Sequence, residues 1–234
     1  MNAYTAEFFG TFLLILLGEG VVAGVLLKNS KSENAGWLTV CLAWGLAVTL
    51  AIYAVGSISG AHLNPAVTLA LVIDGSFPAD QMLGYVLAQF AGAFLGAVLV
   101  WVHFLPHWAG TLDASTKLAV FCTAPAIRKP LANFISEAIA TGVLVLALLF
   151  IGANRFAEGL NPLVVGLLIV SIGLSLGGPT GFAINPARDL APRLAHFLLP
   201  IPGKRDSDWG YAWVPVAGPL AGSVLGAWLY NAVF

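Results

Sequence analysis

The chain has 234 residues, 59% hydrophobic and 9% charged, with a formal net charge of −1 and a mean hydropathy of +0.91. Soluble domains average about 45–50% apolar and about 25% charged residues, so a chain of this kind has too little polar surface to stay dispersed in water. No basic stripe is interleaved with aromatics, which gives no reason to expect nucleic acid; Cys41 and Cys122 form no close-spaced pair, and no metal or other cofactor is expected.

The first predicted span covers residues 5–27. No Lys or Arg precedes its apolar run and no cleavage site follows, so it reads as a retained helix rather than a signal peptide. Glu7 opens this span, and Glu19 lies in its middle within Leu17-Gly18-Glu19-Gly20. A second span is predicted over 37–56 and contains Trp44. Then comes Ser59-Gly60-Ala61-His62-Leu63-Asn64-Pro65-Ala66, followed by an apolar piece that stops at Asp74-Gly75-Ser76. That piece is too short to cross a bilayer, which takes roughly 20 apolar residues, and reads as re-entrant.

The third span, 82–103, carries Gly92-x-x-x-Gly96. Residues 104–130 form the longest polar connection and offer no interpretable motif. Glu137 opens a fourth span over 131–151, and a fifth over 160–177 contains Gly173. The stretch Thr180-Gly181-Phe182-Ala183-Ile184-Asn185-Pro186-Ala187 follows, then Arg188, Asp189 and a short piece to Leu198. A sixth span over 211–232 carries Gly218-x-x-x-Gly222-x-x-x-Gly226. The small-residue patterns permit close helix approach within the protomer or between protomers.

The two halves repeat. The Asn-Pro-Ala stretches are 121 residues apart, Glu7 and Glu137 are 130 apart, and Ala91-Gly92 and Ala217-Gly218 are 126 apart. Landmarks in one order at nearly one offset indicate a duplicated unit of three spans and one half-helix. Three is odd, so the second unit enters from the opposite face, and its half-helix meets the first near the midplane. Asn is a good N-cap and Pro is tolerated at the first helical position, so each motif starts a helix. Each Asn oxygen is expected to cap its own half-helix, leaving its NH₂ free to donate into a channel. The backbone before each cap, at Gly60-Ala61-His62 and Gly181-Phe182-Ala183, is expected to be extended and to line a wet pore. Arg188 is a cation inside an apolar region, where arginine is costly and functional by default.

Two Asn-Pro-Ala motifs in inverted halves, six spans and the paired glutamates resemble the aquaporin (major intrinsic protein) family, more closely its glycerol-facilitator branch, over nearly the whole chain. The resemblance implies an all-α membrane protein of six transmembrane helices and two re-entrant half-helices, an inverted three-helix repeat in an aquaporin-like right-handed bundle. One channel domain would span residues 1–234, with repeat one at about 1–103, a connecting loop at 104–130 and repeat two at about 131–234. The implied function is passive diffusion of glycerol and other small neutral solutes, with water, while protons and ions are excluded. It is not enzymatic.

By the same resemblance, Trp44, Gly173, Phe182 and Arg188 form the selectivity filter. Gly173 would leave room where water-selective members carry histidine, with Trp44 and Phe182 offering aromatic faces to the carbons of a polyol. Asn64, Pro65, Ala66, Asn185, Pro186 and Ala187 form the pore motifs, and Gly60, Ala61, His62, Gly181 and Ala183 line or support the pore. Asp189 is expected to hold Arg188 or the loop. Glu7 and Glu137 are expected to accept hydrogen bonds from the pore loops, unless they are interfacial residues in water. The His62 ring either faces solute or is packed, and Glu19 either lines a vestibule or pairs with a polar group.

The resemblance further implies a homotetramer in the cell membrane with cytoplasmic termini. Candidate solutes besides glycerol and water are dihydroxyacetone, urea, hydrogen peroxide and lactic acid. The charge distribution points the other way on orientation: Lys28, Lys31, Lys117, Arg128, Lys129, Lys204 and Arg205 fall in the loops that would be outside, and Arg155 in an inside loop. The competing functions are a water-dominant aquaporin and an ion-coupled secondary transporter. Coupling needs titratable or ion-binding groups at the midplane, where only Asn64 and Asn185 fall.

Overall fold

The computed structural model describes residues 1–234 as ten α-helices without a strand. Five are long and apolar enough to cross a membrane: α1 (Ala3–Leu26), α2 (Trp37–Ser59), α4 (Met82–His103), α7 (Pro130–Gly152) and α10 (Val214–Val233). Two half-helices lie between them in chain order, α3 (Pro65–Asp74) and α9 (Pro186–Leu198). The fifth predicted span is α8 (Asn161–Leu176), only 16 residues long. At 1.5 Å per residue it reaches about 24 Å, less than the roughly 30 Å hydrocarbon thickness. Its limits are set by Asn161-Pro162 at the start and Gly177-Gly178 at the end.

Small residues bring the outer spans of each repeat together. A Cβ on Gly92 of α4 would collide with the Phe8 carbonyl of α1, and one on Gly222 of α10 with the Ala138 carbonyl of α7. The glycine patterns thus serve packing inside the protomer, as helix association in lipid requires close backbone approach. The same device joins α2 to α8, where a Cβ on Gly45 would lie 2.6 Å from the Gly166 carbonyl oxygen. Gly92→Leu is expected to separate α1 from α4 at a cost of about 1–3 kcal/mol or more. A lower thermal midpoint of the detergent-purified protein checks it, with Ala91→Leu as a comparison.

Residues 104–130 are more ordered than the sequence suggests. They contain α5 (Leu105–Gly110) and α6 (Ala114–Phe121), with Trp108 and Phe121 stacked and fully buried. Asp113 caps α6 by accepting from the Ser115 and Thr116 amides at 3.2 and 2.9 Å, a start signal legible in the sequence.

Several of the loop cations that make up the charge bias are engaged with nearby acceptors. Lys28 pairs with Glu33 at 2.7 Å and Arg128 with Asp208 at 2.7 Å. Lys117 donates to the Pro202 carbonyl. Lys204 donates to the carbonyls of His196, Phe197 and Leu199, each at 2.7 Å, closing the C-terminal end of α9.

Candidate functional site

The half-helices α3 and α9 abut N-terminus to N-terminus. Asn64 caps α3 by accepting from the Ala66 amide at 2.9 Å, and Asn185 caps α9 by accepting from Ala187 at 3.0 Å and Arg188 at 3.2 Å. Pro65 and Pro186 occupy the first helical positions, where their missing N–H groups cost nothing. The amides are not wholly free, in contrast to the sequence expectation. Asn64 Nδ2 donates to the Ile184 carbonyl at 2.8 Å, and Asn185 Nδ2 donates to the Leu63 carbonyl at 2.9 Å. Each NH₂ has two donors, so one links the repeats and the other remains for the channel. The positive ends of both helix dipoles converge on the same point.

The backbone ahead of the caps also differs from expectation. It is non-helical but not extended: Gly60, Ala61 and Leu63 have φ of 81, 51 and 55°, and Gly181, Phe182 and Ile184 have φ of 85, 40 and 43°. The left-handed positions recur at the motif offset of 121. Such residues are strained unless held, and the two glutamates hold them. Glu7 is fully buried and accepts from Ser59 Oγ at 2.7 Å, the His62 and Leu63 amides at 2.9 and 2.7 Å, and Gln89 Nε2 at 2.8 Å. Glu137, also buried, accepts from the Ala183 and Ile184 amides at 3.0 and 2.8 Å. Their burial rules out the interfacial reading. The His62 ring is packed between Phe77 and Tyr85, with Nδ1 3.2 Å from Thr68 Oγ1, while the residue still borders the channel.

Two cavities lie end to end. The inner one, about 550 Å³, runs past both motifs to Asp74, Ser76 and Tyr230. Its lining combines aliphatic side chains, among them Val48, Ile52, Leu144, Val165 and Ile169, with the pore-loop residues Gly60, Ala61, His62, Ala183 and the two Asn residues. The outer one, about 440 Å³, is bordered by Trp37, Val40, Gly181 and the segment after α6. The residues bordering both are Trp44, Phe182 and Arg188, so the passage changes from one cavity to the other at these three. The Arg188 guanidinium lies over the Trp44 ring, 4.3 Å from its centre.

Gly173 borders neither cavity. A Cβ there would lie 2.9 Å from Cys41 Sγ and 3.0 Å from Phe182 Cζ, and its carbonyl accepts from Trp37 Nε1 at 3.0 Å. The room left by its missing side chain is occupied by the Phe182 ring rather than by the passage itself. Ala66, Pro65, Pro186 and Ala187 are buried in the half-helix starts, supporting the site without lining it.

Asp189 holds the loop but not Arg188. It accepts from the Thr123 amide and hydroxyl, each at 2.7 Å, and from Nε and Nη2 of Arg193 at 2.9 and 2.7 Å. Arg193 also donates to the carbonyls of Thr123, Ser207 and Asp208. The sequence reading did not single out Arg193; its position four residues after Asp189 on a helix was the available signal. Arg128 then fixes Asp208 from outside through two hydrogen bonds of 2.7 and 2.8 Å.

Those Arg128 bonds hold the Asp208 carboxyl below its ordinary value of 3.8, against an opposing effect of partial burial. A depressed carboxyl stabilises fully above the unfolded value and loses that contribution as pH falls through the folded one. Wild type is therefore expected to lose thermal stability faster than Asp208→Asn between about pH 5 and about pH 3. Melting curves of both proteins check this.

An all-helical membrane protein with two inverted repeats, half-helices that meet N-terminus to N-terminus and two cavities that share Trp44, Phe182 and Arg188 is a channel of the aquaporin fold. The chain belongs to the Major intrinsic protein family, whose profile matches residues 1–230. It is 61% identical to the probable glycerol uptake facilitator protein of Thermotoga maritima over the full length of both chains. It is 58% identical to the glycerol uptake facilitator protein of Bacillus subtilis, covering 100% of this chain and 85% of that one. The solved aquaglyceroporin of Plasmodium falciparum superposes with a TM-score of 0.86 at 34% identity, covering 99% of this chain and 95% of the other.

Proposed function

We propose that the chain is a passive channel for glycerol and other small neutral solutes, with water, and that selection occurs where Trp44, Phe182 and Arg188 meet. The observation that carries this reading is that these three residues border both cavities. Two aromatic faces suit the carbon edge of a polyol, and the guanidinium suits its hydroxyls. The 550 Å³ cavity likewise joins aliphatic residues such as Val48, Ile52 and Ile169 to the pore-loop residues and the two Asn. At the midplane, two Asn donors and two helix N-termini orient an oxygen and oppose cations, the electrostatic exclusion described in general for aquaporin-type pores.

The relatives named glycerol uptake facilitators support glycerol as the principal solute. Dihydroxyacetone, urea, hydrogen peroxide and lactic acid share its small size and hydrogen-bonding character and are further candidates. The 234 residues act as one channel domain, assembled as a homotetramer in the cell membrane with cytoplasmic termini. Stopped-flow light scattering on proteoliposomes tests the reading. Rapid glycerol entry without an ion gradient is expected; fast water with slow glycerol would instead make this a water channel, and flux requiring a gradient would make it a coupled transporter.

A further inference from the structure

Behind the constriction lies a carboxylate to which the channel reading gives no role. Glu19, midway along α1, is fully buried, and neither of its oxygens has a hydrogen-bond partner. Its Oε1 lies 3.8 Å from Nη1 of Arg188, a nitrogen that is likewise buried and unpartnered. One residue earlier, Gly18 admits the Trp44 ring against α1: a Cβ there would sit 2.5 Å from Trp44 Cζ3. Consecutive residues of α1 therefore back two members of the constriction, Gly18 behind Trp44 and Glu19 behind Arg188.

Arginine keeps its proton in proteins, and a guanidinium at membrane depth needs a counter-charge. The neighbouring acid is committed elsewhere, since Asp189 is bonded to Arg193 and Thr123. Glu19 is the acid left facing Arg188. A separation of 3.8 Å is too long for a hydrogen bond. Glu19 thus attracts the guanidinium without consuming its donors.

We propose that Glu19 is a specificity-determining positioning residue, a counter-charge that faces the buried Nη1, holds Arg188 back over Trp44 and leaves the remaining N–H groups of the guanidinium for a solute hydroxyl. The inference rests on the constriction reading above. Without that charge, the guanidinium moves forward into the passage. A forward guanidinium obstructs a three-carbon polyol more than it obstructs water.

The test compares glycerol and water permeability of proteoliposomes holding wild type, Glu19→Gln or Glu19→Asp. Glu19→Gln is expected to lower the glycerol-to-water ratio at least about threefold, the scale of losing one held cation–π contact. Glu19→Asp, which keeps the charge, is expected to stay near wild type. On an Arg188→Gln background, Glu19→Gln is expected to change the ratio no further.

An unchanged ratio in Glu19→Gln, an equal fall in Glu19→Asp, or a further fall on the Arg188→Gln background would each overturn the proposal. If Glu19→Gln alone gives no folded protein, the double variant Glu19→Gln/Arg188→Gln decides. Removing both buried charges relieves what removing one leaves behind, so folding should recover; no recovery refutes the pairing. Wild type in the same series separates the two readings. Wild-type vesicles that pass water but not glycerol sink the glycerol assignment, whereas glycerol conduction with an unresponsive ratio sinks only the role of Glu19.

Discussion

Gly173→His is expected to reduce glycerol permeability by about tenfold or more while leaving water within a few-fold of wild type, since a mis-sized apolar contact discriminates solutes by roughly 10- to 200-fold. The added side chain does not simply hang into an open passage. Its Cβ would already meet Cys41 Sγ at 2.9 Å and Phe182 Cζ at 3.0 Å. The Cys41 side is helix α2, packed and unable to retreat, so the Phe182 ring yields. Displaced toward Trp44 and Arg188, that ring narrows the constriction for a polyol and spares a single file of water. Proteoliposome permeabilities to both solutes check this. Equal losses for both would remove Phe182 from the constriction. Gly173→Ala, meeting the same two atoms with a single methyl, should give a smaller shift in the same direction.

The largest effect on folding is expected at Glu7. Glu7→Leu removes the acceptor of four buried donors at once: Ser59 Oγ, the amides of His62 and Leu63, and Gln89 Nε2, of which Gln89 keeps its bond to Thr68 Oγ1. Each orphaned group costs about 1–3 kcal/mol, and the left-handed turns at Ala61 and Leu63 lose their clamp. No folded channel should be recoverable from this variant. Glu7→Gln divides the effect, because Oε1 serves Ser59 and His62 while Oε2 serves Leu63 and Gln89. One oxygen becomes an NH₂ facing two donors, so a folded protein with a lowered melting midpoint and reduced glycerol flux is expected. Thermal unfolding in detergent, followed by reconstitution, measures both. A Glu7→Gln protein as stable and permeable as wild type would mean that these bonds do not hold the pore loop.

The parts of this architecture written locally in the sequence were the readable ones. Asn followed by Pro fixes a helix start by capping and by the missing N–H, so both half-helices begin where the motif places them, at Pro65 and Pro186. Spacing between landmarks exposed the duplication, and glycines four apart exposed the close helix contacts. Less readable were features that depend on a distant partner. Nothing adjacent to Gly173 says that Phe182 fills its missing side chain, because the two meet only when α8 packs beside the second pore loop. The expectation of extended backbone failed for a similar reason: the left-handed turns are held by Glu7 and Glu137, far off in sequence, which accept the amides of His62 and Leu63 and of Ala183 and Ile184. Glu19 stayed ambiguous since the cation it faces, Arg188, lies 169 residues away. Arg193 was a local omission, as its four-residue spacing from Asp189 was visible.

Neither half of the chain can finish its own midplane during synthesis. The carbonyl that receives the Asn64 amide belongs to Ile184, 120 residues later, and the amide of Asn185 reaches back to Leu63. At typical elongation speeds the first motif waits roughly 6–24 s on the ribosome before its counterpart exists. During that interval its clamp on Glu7 is available but its latch is not. A nascent chain stopped before Asn185 therefore holds one complete motif and an unclosed seam, ready to accept the missing half from a second polypeptide. Separately expressed halves divided within residues 104–130 are accordingly the natural fragments to reassemble, each bringing the other's missing acceptor.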